Sequence, residues 1–379
     1  MAIKNITVLG SGIMGHGIAQ VSAMAGYKVN LRDIDQKFLD KAMQKIKWSL
    51  EKLTEKSKIT KIDAEKYINN ITPTVDLKTA TKEADLIIEA VPEDFNLKKK
   101  VYGELEGLSS ENTIFASNTS TLPISELSSL TSRPQKFIGI HFFNPPQLMK
   151  LVEVIPGIGT DEIVTKELTA FVKSLNKQPV ICKKDVSGFI VNRIFIPLVH
   201  EALYSLDRDN VSMEIIDSAV KYKLDFPMGI FELADYTGLD VIYKASFEMN
   251  LRDKNVLRMH PSVKMLFDKN ELGQKTGKGF YTYQGENYER INLTPEKASQ
   301  YDISSILGVA ANNASWLLEN EVCTKADLDT ALKLGMGMKT EIFELVSKNG
   351  TEKLVRHLQE LEKSEGDFYK PNDYLRSII

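Results

Sequence analysis

The sequence predicts a doubly wound α/β domain at the N-terminal end, followed by two all-helical domains in tandem. Three observations predict it. Short apolar runs alternate with helical patterns through the first half of the chain. A glycine-rich turn joins the first of these runs to the first helix. One helical pattern then recurs at a constant offset of 112 residues.

Ile3, Ile6, Val8 and Leu9 form an apolar run directly before Gly10-Ser-Gly-Ile-Met-Gly15, so a buried strand is predicted to turn into a helix over about 13–25. A G-x-G-x-x-G between strand and helix is a dinucleotide cradle. Gly10 allows the tight turn, Gly12 lets the backbone approach a pyrophosphate, and Gly15 lets the helix pack closely. The helix start, with the amides of Ile13 and Met14, faces the phosphates. A second strand, Lys28 to Arg32, ends at Asp33, which lies 18 residues beyond Gly15. A carboxylate there takes the adenosine ribose hydroxyls and repels a 2′-phosphate, so the expected cofactor is NAD on a Rossmann-type domain.

Strands are predicted over 85–91 and 113–117, with a helix over about 95–108 between them. Ligands of open α/β sheets sit beyond the carboxyl ends of the strands. Glu93, Lys98, Asn118 and Ser120 are therefore expected near the nicotinamide half of the cofactor, although turn chemistry accounts for Asn118 and Ser120 equally well. Between Asp33 and Ile71, Leu39, Ala42, Ile46, Leu50 and Leu53 recur at helical spacing and predict one long amphipathic helix. Its other face carries Lys41, Lys45, Lys52 and Lys56, with Ser49 among them. Such lysines are usually a solvated face; beside a nucleotide site they also suit a second, phosphate-bearing ligand.

Gly139-Ile-His-Phe-Phe-Asn-Pro145 and Lys150-Leu-Val-Glu-Val-Ile155 predict two short strands flanking a Pro-Pro turn. His141 and Glu153 are equidistant from Gln147. Hairpin pairing would set them opposite each other with Cβ atoms about 5 Å apart. Imidazole is the side chain that ordinarily titrates near neutral pH, and a carboxylate partner selects its tautomer and stabilises the imidazolium. A plain buried His–Glu pair would read the same way.

At 379 residues the chain is long enough for two or three domains. Its composition, 42% hydrophobic and 26% charged, is that of a globular protein, and a net charge of -3 gives no reason to expect nucleic acid. Cys182 and Cys323 stand alone, without C-x-x-C, so neither disulfides nor a thiolate metal site is expected. No signal peptide or bilayer-length apolar run is visible, which makes a cytoplasmic location the default expectation.

From about Asp185 helical patterns dominate, over 189–206, 213–222 and 229–249. Asp217-Ser-Ala-Val-Lys221 aligns with Asp329-Thr-Ala-Leu-Lys333, Ile230-Phe-Glu-Leu233 with Ile342-Phe-Glu-Leu345, and Gly238 with Gly350. The second copy has Ser304 in place of Asn192, and Lys339 and Glu341 in place of Pro227 and Gly229. It is read as structural. The expected domains are 1–184, 185–285 and 286–379.

Taken together, these motifs resemble the 3-hydroxyacyl-CoA dehydrogenase family, in its 3-hydroxybutyryl-CoA dehydrogenase-like form, from Ile3 through Tyr283. The resemblance implies helical domains of the 6-phosphogluconate-dehydrogenase-like type. It implies reversible NAD-dependent oxidation of an (S)-3-hydroxyacyl-CoA thioester to the 3-ketoacyl-CoA, with a short acyl chain. His141 would be the general acid/base and Glu153 its orienting partner, while Ser120, Asn144 and Asn192 would hold substrate and nicotinamide. Further cofactor contacts map to Asp33, Glu93, Lys98 and Lys275, the last in Lys275-Thr-Gly-Lys-Gly-Phe-Tyr281. Coenzyme A contacts map to Ser49 and Lys56. Fused relatives carry two helical copies, the second packing where a dimer partner would; a monomer with an internal pseudo-dimer is therefore expected, and a homodimer stays open. No enoyl-CoA hydratase segment is present. Three rival readings are a UDP-sugar or 6-phosphogluconate-type dehydrogenase, a same-superfamily enzyme for a free hydroxy or sugar acid, and an NADH-binding regulator or structural protein. The first needs a catalytic cysteine or lysine, and Asn192 stands where that lysine would be sought.

Overall fold

The computed structural model describes residues 3–283 and 291–378. They form two compact units, Met1–Asp185 and Val186–Ile379. The expected boundary at 285/286 lies outside the described residues.

The first unit is an eight-stranded sheet with helices on its faces. In chain order its elements are β1 (Asn5–Leu9), α1 (Ile13–Met24), β2 (Lys28–Arg32), α2 (Gln36–Glu55), α3 (Lys61–Asn69), β3 (Ile71–Thr74), α4 (Leu77–Thr81), β4 (Leu86–Glu89), α5 (Phe95–Glu106), β5 (Ile114–Ser117), α6 (Ile124–Ser128), β6 (Phe137–Phe142), β7 (Leu151–Pro156), α7 (Glu162–Ser174) and β8 (Gln178–Ile181). The strand order is β3-β2-β1-β4-β5-β6-β7-β8, parallel except where β7 runs antiparallel to β6. Its first six strands follow the dinucleotide-binding order. β4 and β5 are buried at every residue, which is why they read as continuous apolar runs without alternation.

On one face, Ile18 and Ala19 of α1 and Leu39, Ala42, Ile46 and Leu50 of α2 join Ile6, Val8, Leu31 and Ile88 of the sheet in one core. The long amphipathic helix predicted through Leu39–Leu53 is α2, and the rest of the insertion adds a second helix, α3. Ser57 adopts a positive φ of 53°, and Thr60 and Asp63 then form a reciprocal capping box that starts α3.

The second unit is helical, with α8 (Val191–Asp209), α9 (Met213–Lys223), α10 (Ile230–Thr237), α11 (Leu239–Arg252), α12 (Pro261–Asp268), α13 (Pro295–Ser299), α14 (Ser304–Glu319), α15 (Lys325–Ala331), α16 (Ile342–Asn349), α17 (Thr351–Glu365) and α18 (Asp373–Ser377). The helix predicted over 229–249 is broken in two at Gly238. Its φ of 103° lies outside helical space and is one that glycine tolerates. The repeat is visible helix by helix: α9 and α15, α10 and α16, and α11 and α17 each begin 112 residues apart. Ser212 and Thr324 cap α9 and α15 in the same way, and Gly350 repeats the break at Gly238 with φ 85°.

The substituted positions in the second copy change the local chemistry. In the first copy Asp217 fills the space left by Gly229, where a Cβ would come within 2.0 Å of its carboxyl carbon, and accepts from the amides of Phe231 and Glu232. In the second, Lys325 bridges Asp329 and Glu341 instead, at 2.8 and 2.7 Å.

Candidate active site

A row of hydrogen bonds fixes the carboxyl edge of the sheet. Gly10 N–H donates to Arg32 C=O, Ala90 N–H to Leu9 C=O and Asn118 N–H to Glu89 C=O, each at 2.8–2.9 Å. The Asn118 side-chain oxygen then accepts from the Phe142 amide at 2.9 Å. The residues following β1, β4 and β5 and those ending β6 therefore share one edge. Asp33, the glycine turn, Glu93, Asn118, Ser120 and His141 all belong to it.

The glycine turn fits a dinucleotide. Gly10 has φ 90°, and a Cβ there would lie 2.6 Å from Ala90 C=O. At Gly15 a Cβ would lie 1.7 Å from Gly10 C=O, so only glycine lets α1 start this close to the turn. Gly12, the N-cap of α1, has nothing within 4 Å of a would-be Cβ and offers no side-chain cap, leaving the helix start open for a phosphate. Asp33 accepts from the amide and hydroxyl of Ser11 at 2.7 and 2.6 Å and from the Ile34 amide at 2.7 Å, which ties the end of β2 to the turn.

His141 and Glu153 are register partners across β6 and β7, and His141 Nδ1 lies 2.7 Å from Glu153 Oε2. Both are buried, and the Phe143 ring packs against the imidazole with centroids 4.5 Å apart. In the same turn Asn144 is exposed, and its peptide bond to Pro145 is cis. Gln147 at the turn's centre donates to Gln20 of α1 at 3.4 Å, and Gln20 donates to Ser49 of α2 at 3.0 Å. This chain connects the hairpin to the lysine-bearing helix, and no spacing in the sequence signals the contact between Gln20 and Gln147. Lys56 is exposed at the C-cap of α2.

Beneath the edge lies a buried network that sequence reading missed in part. Lys98 is 1% exposed, and its ammonium sits 2.7 and 2.8 Å from the Glu89 carboxylate and 3.0 Å from Glu93. Glu89 also accepts from Ser117 at 2.7 Å and from Tyr102 at 3.1 Å. Burial raises the Glu93 carboxyl, but the Lys98 charge and the Thr119 and Thr121 hydroxyls outweigh it and hold the group below the ordinary carboxylate range. Burial lowers Lys98, and the two carboxylates more than offset that. Glu93 Oε1 accepts from the Thr119 hydroxyl and from the amides of Ser120 and Thr121 at 3.1 and 3.3 Å, so it shapes the segment that carries Ser120. The missed signal was Glu89 itself, an acid at the end of an otherwise apolar strand.

Asn192 and Lys275 belong to the second unit. Asn192 is the second residue of α8, and Lys275 pairs with Asp240. The loop carrying Lys275 is held by two buried acids. Asp235 accepts from the amides of Phe280 and Tyr281 and the Tyr283 hydroxyl at 2.9–3.0 Å, and Asp217 accepts from the Tyr281 hydroxyl at 2.9 Å. Burial pushes Asp217 up to about 7. In the same unit His200 is pushed down to about 3 by burial and the neighbouring His260. Its Nδ1 accepts the His260 amide and its Nε2 pairs with Ser246, leaving no place for a second ring proton.

These two shifts oppose each other. The folded state holds an extra proton on Asp217 between about pH 4 and 7, so that contribution is full at low pH and is lost as pH rises through about 7. For His200 the folded state excludes a proton, so its contribution is present above about pH 6.5 and is lost as pH falls toward 3. Between pH 4.5 and 6.5 they cancel. Asp217→Asn should make stability rise with pH across that window, and His200→Gln should make it fall, each by on the order of 1 kcal/mol per pH unit. Denaturant midpoints at three pH values test this; curves parallel to the parent's in both variants would refute it.

Among the described residues, no group of three or more His, Cys, Asp or Glu side chains is arranged to hold a metal ion, and no helix is long and apolar enough to cross a membrane. A nucleotide cradle and a carboxylate-braced imidazole on one sheet edge define a dinucleotide-dependent dehydrogenase.

Comparison with known proteins agrees. Residues 5–186 match the family described as 3-hydroxyacyl-CoA dehydrogenase, NAD binding domain, and residues 188–283 and 303–379 match its C-terminal domain in two segments. The mitochondrial hydroxyacyl-coenzyme A dehydrogenase of Rattus norvegicus is 41% identical over 290 residues, covering 74% of this chain and 92% of that protein. The 3-hydroxybutyryl-CoA dehydrogenase of Clostridioides difficile is also 41% identical over 290 residues, covering 73% and 99%. A crystal structure of 3-hydroxybutyryl-CoA dehydrogenase from Escherichia coli superposes with a TM-score of 0.88 at 26% identity, covering 100% of this chain and 98% of that one. The chain belongs to the 3-hydroxyacyl-CoA dehydrogenase family. It is an NAD-dependent oxidoreductase that oxidises 3-hydroxyacyl-CoA.

Proposed function

We propose that the chain interconverts a short-chain (S)-3-hydroxyacyl-CoA and its 3-ketoacyl-CoA, with His141 as the proton-transferring group. The observation that carries this is the 2.7 Å contact between His141 Nδ1 and the buried Glu153 carboxylate, on the sheet edge that also bears the glycine turn. With Nδ1 committed to Glu153, Nε2 is the atom assigned to the alcohol proton. Glu153 holds the ring and stabilises the imidazolium. Bound NAD supplies the hydride acceptor. In this reading Gly10, Gly12, Ile13, Met14 and Gly15 receive the pyrophosphate and Asp33 the adenosine ribose. Asn118, Asn144 and Lys275 serve the cofactor, and Glu93 serves it through the segment it shapes. Ser120 and Asn192 orient the reacting oxygen or thioester carbonyl, and Ser49 and Lys56 contact coenzyme A. The short chain is supported by the similar proteins that carry the name 3-hydroxybutyryl-CoA dehydrogenase.

The test is NADH oxidation with 3-ketoacyl-CoA thioesters of four to sixteen carbons, alongside free acetoacetate. Acetoacetyl-CoA should give a kcat/KM roughly 100-fold or more above the free acid, because binding energy from the remote nucleotide is available only to the thioester. Comparable use of the free acid would sink the thioester reading. A clear preference for the sixteen-carbon substrate would sink the short-chain one.

A further inference from the structure

The outer face of α2 is more than a run of lysines. At 100° per residue, Phe38, Lys41, Lys45, Trp48, Ser49, Lys52 and Lys56 fall within one arc of about 100°, and Leu39, Ala42, Ile46 and Leu50 occupy the buried arc beside it. No acid falls in the outer arc; Glu51 and Glu55 lie to its side, with Glu55 paired to Lys52 at 2.7 Å. Trp48 is 62% exposed, unusual for a residue whose large apolar surface is normally packed. Along the helix axis it lies between Lys45 and Lys52, its i−3 and i+4 neighbours, at the opposite edge of the arc from Ser49, whose hydroxyl accepts from Gln20 of α1. Phe38 is 40% exposed on the same face, with the Lys37 ammonium over its ring at 5.1 Å.

An aromatic plate set among lysines is the arrangement that receives a phosphorylated nucleotide. The ring stacks on the base, which offers a π-face whatever its identity, and the ammonium groups take the phosphates. The nucleotide end of coenzyme A presents an adenine, a 3′-phosphate monoester of about −1.5 to −2 charge and a diphosphate. That charge is opposite in sign to the four lysines of the arc, of which Lys52 would exchange Glu55 for a phosphate.

We propose that Trp48 stacks on the adenine of the coenzyme A thioester, with Lys45 and Lys52 on its phosphates, and so sets the preference for the coenzyme over shorter thiol carriers. This rests on the thioester reading given above and adds a specificity residue to it. NAD is served by a separate site on the carboxyl edge, so Trp48 acts on one nucleotide and not the other.

The experiment compares acetoacetyl-CoA with acetoacetyl-pantetheine, which lacks the nucleotide, in the full-length parent, Trp48→Ala and Trp48→Phe. Stacking of ordinary strength corresponds to roughly a 5- to 150-fold effect. Trp48→Ala should raise KM for acetoacetyl-CoA by at least about fivefold, with kcat and the KM for NADH within about twofold, and Trp48→Phe should recover most of the loss. The pantetheine thioester should give the same KM in all three proteins. Because only Trp48 and Trp316 are present, 3′-phosphoadenosine 5′-diphosphate should quench the fluorescence of the parent and not that of Trp48→Phe to the same depth. An equal KM rise for both thioesters would show a structural role and overturn the proposal. So would an unchanged KM for both, or a response confined to thioesters on an acidic carrier protein. If the parent does not prefer acetoacetyl-CoA to acetoacetyl-pantetheine, no nucleotide is being read and the proposal is overturned; if it does not prefer acetoacetyl-CoA to free acetoacetate, the thioester reading fails, independently of Trp48.

Discussion

His141→Gln should lower kcat for acetoacetyl-CoA reduction by about 10²- to 10⁴-fold and leave the Kd for NADH within about twofold. General acid/base transfer by a positioned side chain is worth that factor, and a glutamine amide has no proton to exchange at the alcohol oxygen. The substitution is mild for the fold. The amide can still donate to Glu153, so the fully buried carboxylate keeps a partner and the cost of a stranded charge is avoided. The cofactor's cradle is built from other parts: Gly10, Gly12 and Gly15 belong to the β1–α1 turn, and Asp33 is fixed by Ser11. Steady-state turnover read against NADH fluorescence titration separates the two effects. Retention of more than about a tenth of the parent kcat would remove His141 from the chemistry.

What made that pair legible was geometry that a sequence encodes directly. A hairpin with a short turn pairs residues symmetric about its centre, so the positions of His141 and Glu153 around Gln147 gave the register that β6 and β7 adopt. The glycine turn was legible for a similar reason, since each glycine answers a local backbone demand. The internal repeat needed only a constant offset. Residues outside such local grammar were harder to place. Lys98 follows the end of a strand, and the resemblance implied a cofactor contact. Its ammonium is enclosed by Glu89 and Glu93, a pairing across nine and five residues that depends on how α5 packs on the sheet and that spacing does not announce. Gln20, Gln147 and Ser49 meet from three separate elements, and no periodicity announces such a contact. Gly238 was visible as a repeat marker, but the helix break it makes depends on a φ of 103° that spacing does not reveal.

Lys98→Met should be the most destabilising single change in the first unit among those considered, at about 3–5 kcal/mol at pH 7. That is the cost of removing one partner of a buried ion pair and leaving the other charged. Here two carboxylates lose the same ammonium, and Glu89 keeps only neutral donors, the Ser117 and Tyr102 hydroxyls and the Val91 amide. Against a typical domain stability of about 5–15 kcal/mol this is a large fraction. The pH dependence has a definite sign. In the parent, Glu93 is held below its ordinary range, so its contribution is present above about pH 4.5 and is lost as pH falls. Without Lys98, burial is left to dominate at Glu93 and raises its carboxyl; protonation then relieves the variant. The destabilisation should therefore shrink between pH 7 and pH 5, as read from denaturant midpoints. Function should follow the Ser120 segment that Glu93 shapes, with kcat falling more than NADH affinity. The alternative, a direct contact between Lys98 and the cofactor, predicts the reverse pattern: a weakened NADH Kd with stability nearly unchanged. That reverse pattern would mean the buried triad is not what holds this edge of the sheet together.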